Sequence, residues 1–182
     1  YKPSLVDGVS NAALAAALGA DIVHYNHYDV DKPQIGGMSS TPEGIKIWKE
    51  HGITLQPDNT VEGPTRGFFE SLGLGVTFHD LRQEIGRVVG VSLEIVDEGM
   101  EAPPGRLATP ETGHKALEQG AAYLTIIASP ANHPGVLAEN MRSLREGLGP
   151  DVMLVAGRMP WGGSVEGVPD YLLPDEVEQV VQ

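Results

Sequence analysis

Apolar and polar positions along the chain form blocks that predict helices followed by short strands. The clearest block is residues 10–23, where Ser10 is a candidate N-cap and Leu14 and Leu18 lie four residues apart on one helical face. Gly19 follows as the candidate residue just past the helix end, and the β-branched pair Ile22-Val23 comes soon after it. The same succession recurs along the chain and predicts repeated helix-then-strand units.

Glycines mark the ends of five predicted helices at similar intervals. They stand at positions 19, 52, 86, 120 and 149, so that the intervals are 33, 34, 34 and 29 residues. An interval of about 30 residues is the length of one strand and one helix in a parallel β/α protein. Pro42 and Pro110 follow threonines at the first helical position of two of these helices. The predicted strands are 21–25, 53–56, 87–96, 122–128 and 152–157, an ambiguous segment at 64–80 offers one more helix at 64–72, and a final helix opens with Pro174 and Asp175.

Continuous apolar strands that alternate with helices predict a parallel sheet covered by helices. Two architectures fit, the closed (β/α) barrel of TIM type and the open doubly wound parallel sheet. We favour the barrel, because no G-x-G-x-x-G sequence follows the first strand and the dinucleotide-binding version of the open sheet lacks support. A complete barrel has eight strands in about 250 residues. Residues 1–182 are therefore expected to form a single domain that is either a barrel truncated at both ends or an open sheet.

The net charge and the cysteine content limit which binding partners and which cellular compartment the sequence favours. A net charge of −13 argues against nucleic acid or an anionic membrane as the main partner, but it allows a local pocket for a small anionic metabolite. The absence of cysteine excludes disulfides and a thiolate nucleophile and suits a reducing compartment. No apolar run approaches the roughly 20 residues that span a bilayer, and no signal peptide is visible. We therefore expect a cytoplasmic protein.

Polar residues follow every predicted strand, at the carboxyl ends where both architectures bind ligands. Taken singly, each is equally well explained as part of a solvated loop, whereas the whole set on one edge predicts a ligand site. The set comprises Tyr25, Asn26, His27, Tyr28, Asp29 and Asp31 after the first strand, Gln56, Asp58 and Asn59 after the second, Ser92, Glu94 and Asp97 in or after the third, Ser129, Asn132 and His133 after the fourth, and Gly157, Arg158, Gly162 and Gly163 at the fifth.

Glu94 interrupts the apolar run "VVGVSLEIV" and is the sharpest single candidate. Ser92 and Glu94 are two residues apart, so both point to one face of the strand. A buried carboxylate is costly unless it is paired, hydrogen-bonded or bound to a cation. We therefore expect Glu94 either to ligate Mg²⁺ or another divalent metal with Asn26 or Asp29, or to act as a base. A salt-bridged or solvated glutamate at the rim is the alternative.

The segment "HYNHYDVD" after the first strand supplies the other catalytic candidates, Asn26 and Asp29. His24 and Asn26 share one face of the strand; Asn26 is expected to point to the site and His24 to be a structural histidine. His27 and Asp29 form a weak His-x-Asp signal for an acid–base pair.

Two loops punctuated by glycine and proline, "ASPANHPG" and "AGRMPWGG", are typical of backbone cradles for phosphate or carboxylate, with ordinary tight turns as the alternative. Ser129, Asn132 and Gly157 are the predicted substrate-binding residues of these loops, and Arg158 would supply the positive charge.

Four stretches, "LVDGVSNAALAAALGADIVHYNHYDVDKPQIGG", "GRVVGVSLEIVDEG", "GRLATPETGHKALEQGAAYLTIIASP" and "VMLVAGRMPWGG", resemble a bacterial family of uncharacterised (β/α)-barrel proteins. The resemblance covers about half of the chain and implies a barrel with Asn26, Glu94 and Ser129 at strand ends. Members usually read "NLEP" where this chain reads "SLEI", so Ser92 departs from the pattern. The family's typical chain also extends beyond both ends of this one. Its members are labelled haloacid dehalogenase-like hydrolase or phosphoenolpyruvate phosphonomutase.

The two labels fit the residues poorly. A dehalogenase needs D-x-D-x-T after a strand, whereas "DVDKP" has Asp29 and Asp31 but Pro33 in place of the threonine. Ser129 would have to serve as the Ser/Thr motif, and the acidic metal motif of a phosphonomutase is not visible. We therefore expect an enzyme of unknown reaction on a small phosphorylated or carboxylated metabolite, without a nucleotide cofactor. A non-catalytic metabolite-binding or regulatory barrel and a dehalogenase-like hydrolase are the alternatives.

The number of strands bears on assembly. Five strands cannot close an eight-stranded barrel, and an open parallel sheet leaves backbone N–H and C=O groups unpaired at its edges. We therefore expect a homo-oligomer, or ordered parts of the natural protein outside these residues.

Overall fold

The computed structural model describes residues 5–6, 8–50, 71–96, 101–129, 132, 134–159, 166–167, 169 and 171–181. Its elements, in chain order, are α1 (Asn11–Ala17), β1 (Ile22–Tyr25), α2 (Pro42–Glu50), α3 (Phe78–Ile85), β2 (Val88–Glu94), a 3₁₀ turn (Pro104–Arg106), α4 (Pro110–Glu118), β3 (Tyr123–Ala128), α5 (Pro134–Leu148), β4 (Met153–Arg158) and α6 (Pro174–Val181).

The four strands form one parallel sheet in the order β1-β2-β3-β4. The register of β2 on β3 runs from Gly90↔Tyr123 to Glu94↔Ile127, and β3 on β4 ends at the pair Ala128↔Arg158. The α/β class with a parallel sheet is therefore confirmed, and the carboxyl ends of β2, β3 and β4 meet at one edge. The described residues show an open four-stranded sheet, which is compatible with a doubly wound arrangement, and no closed barrel.

The predicted elements match the observed ones closely wherever the structure describes the chain. The strands predicted at 21–25, 87–96, 122–128 and 152–157 are β1 to β4, and the final helix begins at Pro174 as predicted. The strand predicted at 53–56 lies outside the described residues, as does the helix predicted at 64–72 up to residue 70. Residues 71–77 are described and are not helical, so positions 71 and 72 do not belong to a helix.

Helix ends follow the predicted cap signals. The hydroxyl of Ser10 accepts a hydrogen bond from the Ala13 amide at 3.0 Å, which satisfies one of the free N–H groups in the first turn of α1. Gly19 has a φ of 98° and Gly86 a φ of 62°, in the left-handed region that side chains disfavour. Position 52 lies outside the described residues.

The chain divides into two compact units. The first comprises Tyr1–Val23 with Asp29–Val88, and the second comprises His24–Tyr28 with Val89–Gln182. The expectation of a single domain stays a prediction.

The core of the first unit contains Ile35, Leu74, Phe78 and Leu81, each at most 1% exposed. Here α1 packs against α3.

In the second unit the core lies on one face of the sheet. Val91 and Leu93 of β2 and Leu124 of β3 are fully buried on this face, and α5, with buried Leu137 and Leu144, contacts β3 and β4. Because side chains alternate along a strand, residues at the intervening positions point to the other face. That second face carries the polar side chains of β2, and it is where the candidate site lies.

Candidate functional site

Two groups of polar side chains lie within the second unit, one at the carboxyl ends of β1 and β2 and one that reaches from there to the start of β3. We call Glu94, Arg106 and His27 the acid–base cluster, and Tyr123, His24, Ser92 and Asn26 the hydrogen-bond chain. Gly90, Ser92 and Glu94 occupy alternate positions of β2, which places them on the same face, as the sequence predicts.

Glu94 is a buried carboxylate held by an arginine. Its side chain is 9% exposed, and the Arg106 guanidinium donates through Nη2 to its Oε1. The loop after β2 brings Arg106 back to the strand end, because the Ala108 amide donates to the Glu94 carbonyl at 2.9 Å. The alternative of a salt-bridged glutamate is therefore part of the answer to why a carboxylate interrupts an apolar strand.

His27 has an unusual backbone and a ring nitrogen between two opposite partners. Among the described residues it is the one non-glycine residue with a positive φ, 60°, a conformation that side chains rarely adopt and that often occurs at functional sites. Its Nδ1 contacts Nη2 of Arg106 and lies 3.1 Å from Oε1 of Glu94. An unprotonated Nδ1 accepts from Arg106, whereas a protonated Nδ1 donates to Glu94. The cluster can therefore hold the imidazole with its proton on either nitrogen.

The hydrogen-bond chain runs across three strands. The Tyr123 hydroxyl lies 3.1 Å from Nδ1 of His24, Nε2 of His24 lies 2.7 Å from the Ser92 hydroxyl, and that hydroxyl donates to Oδ1 of Asn26 at 2.5 Å. The rings of His24 and Tyr123 are stacked, with centroids 5.6 Å apart. Burial lowers the pKa of His24, an effect that its hydrogen bond with Asn26 partly opposes.

The ring of Tyr123 has room over the sheet because its partner in the β2–β3 register is Gly90. A Cβ atom at Gly90 would overlap the far end of the tyrosine ring. Burial raises the pKa of the Tyr123 hydroxyl, which favours the neutral form that can donate to His24.

The predicted catalytic residues do not all lie in these groups. Glu94 and Asn26 do, and they lie in the second unit together with His27. Asp29 belongs to the first unit, where its Oδ1 accepts from the Asp31 amide at 2.9 Å, as in an Asx turn.

The predicted substrate-binding residues follow β3 or end β4. Ser129 and Asn132 are buried, and the backbone N–H of Asn132 donates to the Ser129 carbonyl at 3.1 Å. Gly157 pairs with Ile127, which in turn pairs with Glu94, so these three positions point to one face. No described residue lies within 4 Å of the position that a Cβ atom would take at Gly157, so the described part of the chain leaves this face open there.

Arg158 lies on the opposite face of the sheet from Glu94, one position beyond Gly157. Its guanidinium donates to both carboxylate oxygens of Glu176, at 3.2 and 3.4 Å, and its side chain is 1% exposed. This pairing ties β4 to the start of α6, and it leaves the anion-binding role of Arg158 as a prediction. Further candidates lie outside the described residues: Gln56, Asp58, Asn59, Asp97, His133, Gly162 and Gly163.

Among the described residues, no group of three or more His, Asp or Glu side chains is placed to hold a metal ion. The charge of the Glu94 carboxylate is balanced by Arg106 instead.

Two residues of the site, Arg106 and Tyr123, were missed by the sequence reasoning. Arg106 carries a usable signal, since it is a basic residue in the loop after β2 of an acidic chain. Tyr123 begins β3, at the end opposite to the predicted site, and carries no such signal. Its role depends on the register with Gly90, which the sequence does not reveal.

The fold and these two groups define an α/β protein with a polar cluster at the carboxyl end of a parallel sheet. The chain belongs to the family described as Domain of unknown function (DUF7916), whose model matches residues 1–182. The expected membership of an uncharacterised family is confirmed at this level, and the dehalogenase and phosphonomutase labels gain no support from the match. No curated protein and no solved structure matches the chain. Within the described part of the chain, no helix has the length and apolar character needed to cross a membrane.

Proposed function

We propose that the chain is an acid–base enzyme that acts on a small carboxylated or phosphorylated metabolite, with His27 as the group that exchanges protons with the substrate. The observation that carries the proposal is the position of His27 Nδ1 between a donor on Arg106 and the carboxylate of Glu94. A carboxylate that accepts from Nδ1 leaves Nε2 unprotonated and stabilises the imidazolium that forms when Nε2 takes up a proton.

The proton cycle follows from the contacts of the ring. With a proton on Nδ1 donated to Glu94, Nε2 of His27 is an unprotonated base. Its uptake of a substrate proton creates an imidazolium that the carboxylate stabilises. The His27 side chain is 48% exposed, which leaves a path for a substrate, whereas Glu94 is 9% exposed and therefore interacts strongly with its neighbours. Arg106 pairs with the buried carboxylate and fixes its position.

The anionic substrate is supported by the surroundings of the sheet edge. Ser129 and Asn132 precede α5, a 15-residue helix with no acidic residue in its first turn. No acidic side chain of the first turn therefore neutralises the partial positive charge at the start of this helix. We propose Ser129 and Asn132 as binding residues for the phosphate or carboxylate group.

We also propose that the sheet belongs to a barrel-type fold. The four described strands follow one another in chain order, whereas a doubly wound sheet reverses its strand order at a switch point. The sequential order supports the barrel, in which the remaining strands or a second copy of the chain would complete the sheet.

A non-catalytic metabolite-binding protein on the same fold is the second candidate. It keeps the anion site but needs no proton exchange, so the two candidates differ in turnover. A divalent metal on Glu94 and a haloacid dehalogenase-like hydrolysis, with Asp29 as nucleophile, stay as further hypotheses. Mg²⁺ is therefore included as a separate arm of the test.

Deuterium exchange tests the proposal directly. A panel of small carboxylates and phosphorylated carbonyl compounds is incubated in D₂O with the protein, with and without Mg²⁺, and C–H exchange is followed by proton NMR. Wild-type protein should catalyse exchange in at least one compound, and His27→Gln and Glu94→Gln should reduce its rate by about 100-fold or more. Glu111→Gln is the matched control, because Glu111 is 80% exposed and its ion pair with Lys115 lies at the surface.

The candidates separate by outcome. Binding of a panel compound, measured by calorimetry, without exchange or turnover would favour the metabolite-binding protein. Exchange that persists in His27→Gln would refute the assignment of the acid–base residue.

A further inference from the structure

We infer that the hydrogen-bond chain orients the side-chain amide of Asn26 so that its NH₂ group is a fixed donor for a carbonyl or carboxylate oxygen of the substrate. Asn26 is then a substrate-binding residue, and Tyr123, His24 and Ser92 are positioning residues that act through it. This inference rests on the proposed acid–base function and names the substrate as a compound with a C–H bond next to a carbonyl or carboxylate group.

The direction of every hydrogen bond in the chain follows from one serine proton. The Ser92 hydroxyl donates its proton to Oδ1 of Asn26 at 2.5 Å, so it must act as the acceptor toward Nε2 of His24 at 2.7 Å. Nε2 therefore carries the proton of a neutral imidazole, and Nδ1 accepts from the Tyr123 hydroxyl at 3.1 Å. The lowered pKa of His24 agrees with a neutral ring.

The chain ends at a group that solvent and ligands can reach. Asn26 is exposed, whereas Ser92 is 2% exposed and cannot contact a ligand in place of the amide. Because Oδ1 is engaged by Ser92, the amide cannot turn over without losing that bond. The NH₂ group therefore keeps one orientation, which lowers the cost of ordering it when a ligand binds.

The location next to His27 gives the donor a chemical use. When Nε2 of His27 removes a proton from the substrate carbon, the electron pair of the C–H bond moves toward the carbonyl carbon and negative charge develops on the carbonyl oxygen. A fixed N–H donor at that oxygen stabilises the charge as it forms. Asn26 directly precedes His27 at the end of β1, so the proton acceptor and the oxyanion donor come from neighbouring residues.

The first test is the tautomer of His24, which needs no ligand. Protein with ¹⁵N-labelled histidine should show His24 as a neutral ring with the proton on Nε2 in a two-bond nitrogen–proton NMR spectrum near neutral pH. Ser92→Ala removes the hydroxyl that accepts from Nε2 and thereby fixes the tautomer, so the tautomer should become mixed. Thr125→Val is the matched control, since it removes a hydroxyl from the same face of β3 outside the chain. A wild-type His24 with its proton on Nδ1 overturns the inference.

The second test is binding of oxalate, which imitates the planar enolate of a carboxylated substrate. Asn26→Ala and Ser92→Ala should each weaken oxalate binding, measured by calorimetry, by about ten-fold or more, and Asn26→Asp should weaken it further through charge repulsion. Circular dichroism and thermal melting confirm that each variant is folded. Unchanged oxalate binding in Asn26→Ala, or no oxalate binding by the wild-type protein, overturns the inference.

The outcomes separate this inference from the proposed function. If the wild-type protein exchanges deuterium in a His27-dependent manner while Asn26→Ala binds oxalate and exchanges at the wild-type rate, the proposed function stands and the role of Asn26 is refuted. If Asn26→Ala loses oxalate while His27→Gln exchanges normally, the donor role stands and the acid–base assignment is refuted.

Discussion

Replacing Arg106 by methionine should destabilise the protein strongly, because it leaves the Glu94 carboxylate buried without its cation. The Glu94 side chain is 9% exposed and that of Arg106 is 20% exposed, so the pair is largely shielded from water. Removing one partner of a buried ion pair costs about 3–5 kcal/mol. His27 Nδ1, 3.1 Å from the same carboxylate oxygen, provides partial compensation, so we expect the lower end, about 3 kcal/mol.

The double variant should recover much of this loss. In Arg106→Met combined with Glu94→Gln neither charge remains, and the free energy of unfolding should return to within about 1.5 kcal/mol of the wild-type value. Urea unfolding followed by circular dichroism gives the free energies of the wild type, the two single variants and the double variant. For a chain of this length, 3 kcal/mol corresponds to a fall in Tm of roughly 6–12 °C.

A matched surface pair provides the control. Lys115 and Glu111 are 3.0 Å apart, with side chains 40% and 80% exposed, so Lys115→Met should change the free energy of unfolding by less than about 0.5 kcal/mol. The reasoning is refuted if Arg106→Met costs less than about 1 kcal/mol, or if the effects of the two substitutions at the buried pair are additive. Either result would mean that the carboxylate is well solvated after all.

Two further predictions concern the hydrogen-bond chain. Burial lowers the pKa of His24 below its ordinary value of about 6.5, so the unfolded chain takes up this proton first as the pH falls. The neutral ring therefore contributes to stability above about pH 6.5, and this contribution is lost as the pH drops through the lower folded-state pKa. The urea midpoint of His24→Gln should therefore fall less than that of the wild type between about pH 7.5 and about pH 5, and parallel curves would contradict the prediction. Gly90→Ala should displace the Tyr123 ring and cost about 1–3 kcal/mol in urea unfolding, whereas Gly157→Ala, with open space at its Cβ, should be neutral or slightly stabilising; equal effects would contradict the proposed packing.

The helices and strands of the second unit could be predicted, because each is specified by a few neighbouring residues of the sequence. A helix that begins at Thr109 and Pro110 and is followed by Gly120 is specified by backbone geometry that a few neighbouring residues decide. The shared face of Ser92 and Glu94 follows in the same way from the two-residue period of a strand.

The partners of the site residues depend on contacts between distant parts of the chain, and the sequence does not encode them in any local pattern. Glu94 could be recognised as an unusual carboxylate, but its pairing with Arg106 could not be predicted from a local pattern, because the two residues come from different elements. The charge and position of Arg158 predict an anion-binding role, which stays a prediction, but its pairing with Glu176 depends on the register of β4 and could not be read from the sequence.

The sequence by itself determined the class of this protein, because helix caps, terminal glycines and apolar strand runs act over a few residues and predict alternating helices and strands. It also indicated that polar residues gather at the carboxyl ends of the strands. Only the tertiary structure decided which of these residues meet. The register between β2 and β3 places Tyr123 over Gly90 and within reach of His24, and the left-handed backbone at His27 turns its ring toward Glu94. Register and loop path are set by packing summed over many residues, so no single segment of the sequence reveals them.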